Sequence, residues 1–121
     1  MAHEIEAGPE PNIRLMRLQG ELLKADLLCD DELGLNVGTP IFVLVDASEM
    51  DIGLPAGFMD GKRESFFMNP NLQHVALYST SWLLNSAAKM IGKLTRQREK
   101  LSVHDTREAA LEHLINMVAQ R

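Results

Sequence analysis

The feature that most constrains the fold is a continuous apolar run at residues 40–46, PIFVLVD, which ends on Asp46. A strand with one solvated face alternates polar and apolar residues, whereas a strand covered on both faces of a parallel sheet is apolar throughout. The run is also rich in β-branched residues, which favour strands. It therefore predicts a buried central strand and places the chain in the α/β class.

Other segments extend this pattern along the chain. The sequence IRLMRLQG alternates apolar and basic residues, as a strand with one solvated side does. Asp105 and Glu108 form a capping-box pattern that would open a last helix. We predict strands at 13–20, 40–46, 74–80 and 101–105, and helices at 22–38 (with Gly34 as its stop signal), 54–68 (irregular), 81–97 and 105–120. Alternating strands and helices predict a mostly parallel sheet of about four to five strands, covered by about four helices.

The length and charge of the chain set further limits. Its 121 residues fit one globular domain over 13–121, preceded by residues 1–12 as an N-terminal tail or a short edge strand. A net charge of -5 argues against a nucleic-acid partner. One cysteine allows no internal disulfide, and the sequence shows neither a signal segment nor an apolar run long enough to be transmembrane. The expected location is therefore cytoplasmic.

Four short motifs carry a resemblance to a known family: LQGEL at 18–22, VLVDASEMD at 43–51, HVALYSTSWLL at 74–84 and REAALEHL at 107–114. Together they resemble a STAS domain, the fold of bacterial anti-anti-sigma factors. The likeness is to its SpoIIAA-like branch, which is related in shape to CRAL-TRIO lipid-transfer domains, and it covers about residues 13–118. The resemblance implies a STAS-like single domain with a regulatory role.

One departure from that family concerns its phosphorylation switch. In regulatory members a strand ends in Asp-Ser-Ser-Gly or a near variant, and a kinase phosphorylates the serine. Asp51 matches the aspartate of that motif, but Ile52 and Gly53 stand where the serines would be. The nearby Ser48 lies three residues early. We interpret Ser48 as a turn serine that bonds to nearby backbone, and predict that the usual serine switch is absent.

Two functional hypotheses follow. The first is a non-enzymatic regulatory or protein-interaction module that binds a protein partner through a surface formed by Asp46, Ser48 and Asp51. The alternative is a carrier or sensor of a small apolar or lipid-like ligand, as the CRAL-TRIO likeness implies. Its pocket would be lined by Phe58, Met59, Phe66, Phe67 and Trp82. In either case, an edge strand could pair with a second copy as a homodimer.

The case for catalysis is weak, and no cofactor is predicted. The sequence has no nucleophile elbow, Walker loop or dinucleotide fingerprint. A receiver-type phosphate acceptor needs an acidic pair after its first strand, where only Glu21 stands. The four histidines show no metal-ligand spacing and are interpreted as surface or strand-end residues. A hydrolase would need Ser48, Asp46 and a histidine to converge, with His74 and His104 as the candidates.

Overall fold

A five-stranded mixed sheet forms the centre of the molecule. The computed structural model describes residues 2–20, 29–50, 69–79 and 100–120. The strands lie side by side in chain order, with β1 antiparallel to β2 and each later neighbouring pair parallel. The elements are β1 (Ala2–Ala7), β2 (Ile13–Gly20), a 3-10 helix (Leu35–Val37), β3 (Ile41–Met50), β4 (Leu72–Tyr78), β5 (Leu101–His104) and helix α1 (Arg107–Ala119).

The predicted α/β class and the mostly parallel sheet are confirmed. All four predicted strands are present, and the N-terminal residues form an edge strand rather than a frayed tail. The apolar run of β3 is buried from Ile41 to Val45, as expected for a strand with neighbours on both sides and cover on both faces. The predicted helices over 54–68 and 81–97 lie outside the described residues.

The predicted end of β3 is wrong. The strand does not stop at Asp46 but continues to Met50, because β2 remains alongside it through the pair Gly20 and Met50. Burial also continues to alternate beyond the apolar run, since Ala47 is 2% exposed and faces the core. Asp46 and Ser48 therefore project from within a strand, on the face opposite Ala47.

The predicted helix over 22–38 is also corrected where it can be compared. Residues 29–38 form turns and the short 3-10 helix, and residues 22–28 lie outside the described part. Gly34 and Gly38 both have positive φ angles, 75° and 82°, which an α-helix interior does not contain. Leu33 and Leu35 are both fully buried. Residues two apart do not lie on the same face of a helix, so the two buried leucines anchor an irregular segment.

The sheet has two differently covered faces. Helix α1 packs on one face of the sheet, which we call the α1 face. There, Phe42, Leu44 and Ala76 pack with Ala110 and Leu114 of the helix. On the opposite face, the core contains the inward residues of β2, β3 and β4 together with the buried residues of the 29–38 segment: Met16, Leu18, Cys29, Leu33, Leu35, Ile41, Val43, Val45, Ala47, Leu72, Val75 and Leu77. Helix α1 makes its main contacts with β3, β4 and β5. It thus covers the part of the α1 face that these three strands form.

The N-cap of helix α1 lies one residue later than predicted. The N-cap is Thr106, whose Oγ1 accepts a hydrogen bond from the Ala109 N–H at 3.1 Å. The expected cap, Asp105, precedes it. A threonine at the N-cap satisfies one of the unpaired N–H groups of the first turn. This cap fixes the start of the helix and therefore the position of its first residue, Arg107.

Candidate functional site

Asp46 and Ser48 form a hydrogen-bonded pair on the α1 face. Asp46 Oδ1 accepts from the Ser48 N–H at 3.0 Å and from the Ser48 hydroxyl at 2.7 Å. The two side chains lie together because residues two apart on a strand share a face. The interpretation of Ser48 as a turn serine is therefore corrected: it is a strand residue that bonds to a carboxylate. Ser48 is exposed.

Arg107 brings helix α1 to the same carboxylate. Its Nε lies 3.9 Å from Asp46 Oδ2, so the two oxygens of Asp46 face different partners. Half-exposed ion pairs at this distance contribute at most about 1 kcal/mol to stability. Asp46 side-chain exposure is 16%, against 46% for Arg107. The arrangement therefore orients groups at the surface more than it stabilises the fold.

These residues border a charged cleft of about 170 Å³ between β1, β2, β3 and the start of α1. Register explains its composition, because Glu4 pairs with Arg17 and Arg17 pairs with Asp46 across three neighbouring strands. Arg17 Nη2 donates to Glu4 Oε2 at 3.0 Å. The cleft is lined by Glu4, Glu6, Leu15, Met16, Arg17, Leu44, Asp46 and Arg107. We call this set the charged cleft.

Sequence reasoning found Asp46 but missed the basic residues of the charged cleft. Arg17 was part of the alternation that predicted a solvated strand face, and Arg107 belonged to the last helix. The signal was available in part, because alternation places Leu15 and Arg17 on one face of β2. Their position beside Asp46 depends on strand register, which local patterns do not specify.

The other predicted site residues cannot be placed. Asp51, expected to share the surface with Asp46 and Ser48, lies outside the described residues. The same holds for every residue of the predicted apolar pocket: Phe58, Met59, Phe66, Phe67 and Trp82. These assignments stay predictions.

Three histidines and a serine meet elsewhere on the α1 face. The Ser102 hydroxyl lies 2.8 Å from His74 Nε2 and 2.7 Å from His104 Nε2. From helix α1, the His113 ring lies 5.2 Å from the His74 ring and 5.0 Å from the His104 ring, between centroids. We call these four residues the histidine cluster. The Ser102 hydroxyl has one hydrogen to donate. When both imidazoles are neutral, one ring therefore accepts a hydrogen bond from Ser102 and the other ring donates one to it.

The histidine cluster corrects the sequence interpretation of His74. That residue is 4% exposed and lies within β4, neither on the surface nor at a strand end. His104 does end β5, as expected. Burial lowers the pKa of His104, and the neighbouring His113 lowers it further, while Asp105 acts in the opposite direction. The geometry therefore favours the neutral imidazole at His104.

The arrangement that a hydrolase would require is not formed by these contacts. Ser48 donates its hydroxyl to Asp46, while His74 and His104 direct Nε2 toward Ser102. Tyr78 pairs with Asp46 on one side and with His104 on the other, so a whole strand lies between the carboxylate and the imidazole. The sheet register thus keeps the Ser48–Asp46 pair apart from the candidate histidines.

Neither a metal-ion site nor a membrane-spanning helix is present in the ranges that the structure covers. Among residues 2–20, 29–50, 69–79 and 100–120, no group of three or more histidine, cysteine or acidic side chains is arranged to hold a metal ion. Over the same ranges, no helix has the length and apolar character needed to cross a bilayer.

The architecture defines the class of fold as SpoIIAA-like. A solved structure from Shewanella loihica PV-4 is similar over 93% of this chain and 92% of its own, with a TM-score of 0.61 and 20% sequence identity. That protein is described as an uncharacterised member of the DUF3478 family with a SpoIIAA-like fold. No family model matches the sequence, and no curated protein matches it. The comparison confirms the predicted SpoIIAA-like resemblance at the level of fold.

Proposed function

We propose that this chain is a non-enzymatic regulatory or protein-interaction module, located in the cytoplasm, that binds a protein partner at the charged cleft. The observation that carries the proposal is the position of Asp46. Its carboxylate holds the exposed Ser48 on one side and faces Arg107 on the other. A partner that approaches this face of the sheet meets a hydroxyl, a carboxylate and a guanidinium in fixed relative positions. Such groups confer specificity on a protein interface.

The size and lining of the charged cleft favour a protein partner over an apolar ligand. Small-molecule pockets are usually about 300–1,000 Å³ and mostly apolar. This cleft measures about 170 Å³, and five of its eight lining residues are charged. Charged side chains are costly to bury against a lipid-like molecule. They suit a polar contact at the rim of a protein interface instead.

The Asp46 contact also supports a module that works without serine phosphorylation. The Ser48 hydroxyl is 2.7 Å from the Asp46 carboxylate. A phosphate on this oxygen would add about -1.5 to -2 charges directly beside that carboxylate. Like-charge repulsion would oppose the modified state. We therefore propose that partner binding is not controlled by phosphorylation of Ser48.

Affinity capture from cell extract, with quantitative mass spectrometry, tests the proposal. The tagged wild-type chain should retain a specific protein, and Asp46→Ala should reduce its recovery by about tenfold or more, which corresponds to about 1.4 kcal/mol of binding free energy. Glu112→Ala is the matched control, because Glu112 is an exposed carboxylate on α1 that does not line the charged cleft. Equal recovery by all three chains, or no retained protein, would contradict the proposal.

A further inference from the structure

The histidine cluster lies at the contact between helix α1 and the edge of the sheet. His74 comes from β4, Ser102 and His104 from β5, and His113 from α1. Ser102 and His104 are two residues apart on β5, and Ser102 pairs with Ala76, which is two residues after His74 on β4. All three side chains therefore share the α1 face. The ring centroids of His74 and His104 lie 5.2 and 5.0 Å from the ring centroid of His113. Any charge that forms here forms at the surface on which α1 packs.

Protonation of His104 is disfavoured at this contact for two reasons. Its ring is partly buried against α1, and this burial lowers its pKa because a charge would lose part of its hydration. The His113 ring, at 5.0 Å between centroids, lowers the pKa of His104 further. Among the described groups, Asp105, the residue after β5, acts in the opposite direction. The neutral His104 ring is therefore the form that fits the packed helix.

We propose that the histidine cluster is a pH-responsive latch that holds helix α1 on β4 and β5 while its imidazoles are neutral. Protonation loosens the helix from the sheet. Arg107 is the first residue of the same helix and faces Asp46. Loosening α1 therefore moves Arg107 away from the charged cleft and alters the surface offered to a partner. This consequence rests on the proposed function, whereas the latch itself does not.

The direction of the pH effect follows from the lowered pKa of His104. With α1 undocked, the imidazole titrates near its ordinary pKa of 6.5. With α1 docked, burial and His113 hold the pKa lower. The undocked state therefore binds more protons over this range, and docking is weakened as the pH falls. The contribution is fully present above about pH 6.5 and is lost as the pH falls from there through the lower pKa of the docked state.

Hydrogen exchange of α1 amides at about pH 7.5 and pH 5.5, corrected for the intrinsic pH dependence of exchange, tests the latch. The protection of residues 110–118 should be lower at pH 5.5 than at pH 7.5, by up to about tenfold from His104, since pH 5.5 is about one unit below the ordinary histidine pKa. In His113→Gln the reduction should be smaller than in the wild-type chain, because that variant removes the ring that helps to lower the pKa of His104.

His3→Gln is the matched control. His3 lies on β1 beside Leu18, which belongs to the opposite face, and its Nε2 is 2.9 Å from Glu32 Oε2. This variant should keep the full pH effect on α1. Unchanged α1 protection in the wild-type chain, or loss of the pH effect in His3→Gln as well, would overturn the proposal.

A second measurement needs no variant. Titration of the wild-type imidazole signals by NMR should place His104 below a pKa of 6.5, and a value at or above 6.5 would contradict the latch. Both measurements are made without a partner. If α1 protection does not depend on pH while Asp46→Ala still reduces capture, the latch fails alone. If the latch holds but capture ignores Asp46, the proposed function fails alone.

Discussion

Leu114→Ala should lower the free energy of unfolding by about 2–5 kcal/mol. Leu114 is fully buried and joins α1 to the core residues Phe42, Leu44 and Ala76. Removing its side chain leaves a cavity at the centre of the helix contact, where the surrounding strands cannot collapse. Because Arg107 begins the same helix, the loss also weakens the support of the charged cleft.

Urea denaturation followed by circular dichroism measures this effect. Glu112→Ala provides the control on the same helix, since Glu112 is exposed and its replacement should change the unfolding free energy by about 0.5 kcal/mol or less. A loss below about 1 kcal/mol for Leu114→Ala would mean that α1 does not pack on the sheet through this residue.

Leu33→Ala should have a comparable effect, about 2–5 kcal/mol of lost stability. Leu33 lies in the irregular segment before the 3-10 helix, yet it is fully buried in the core of the opposite face. A connecting segment usually tolerates substitution. Here the backbone at Gly34 turns with a φ of 75° and inserts the preceding leucine into the core.

Val37→Ala is the control for this segment, because Val37 is 75% exposed. Its loss should be within about 0.5 kcal/mol of zero in the same denaturation experiment. If both variants cost the same, Leu33 does not anchor the segment, and the description of residues 29–38 as a core-packed turn would be wrong.

The parts of the fold that were predictable are those with a local signal. The run 40–46 was recognised as a central strand because burial on both faces leaves no polar alternation to misread. The C-terminal helix was recognised from its apolar spacing, but its cap was placed at Asp105 instead of Thr106. Both residues are good N-caps, and only the backbone conformation distinguishes them.

The parts that were not predictable depend on contacts between distant residues. The end of β3 was misplaced because pairing with β2, and not the hydropathy of β3 itself, extends the strand to Met50. In the histidine cluster, His74 bonds to Ser102, which is 28 residues later in the chain, and no spacing in the sequence predicts this contact. Strand register decides such neighbours, and a shift of one residue would reverse every side chain.

The measurement that tests the central claim most directly is site-specific photo-cross-linking in cells. A photoreactive amino acid at position 6 would sit in the charged cleft, and one at position 37 would sit on an exposed turn before the amino end of β3. The account predicts a covalent adduct with a specific protein from position 6 and none from position 37. An adduct from position 37 alone, or from neither position, would contradict a partner-binding site at the charged cleft.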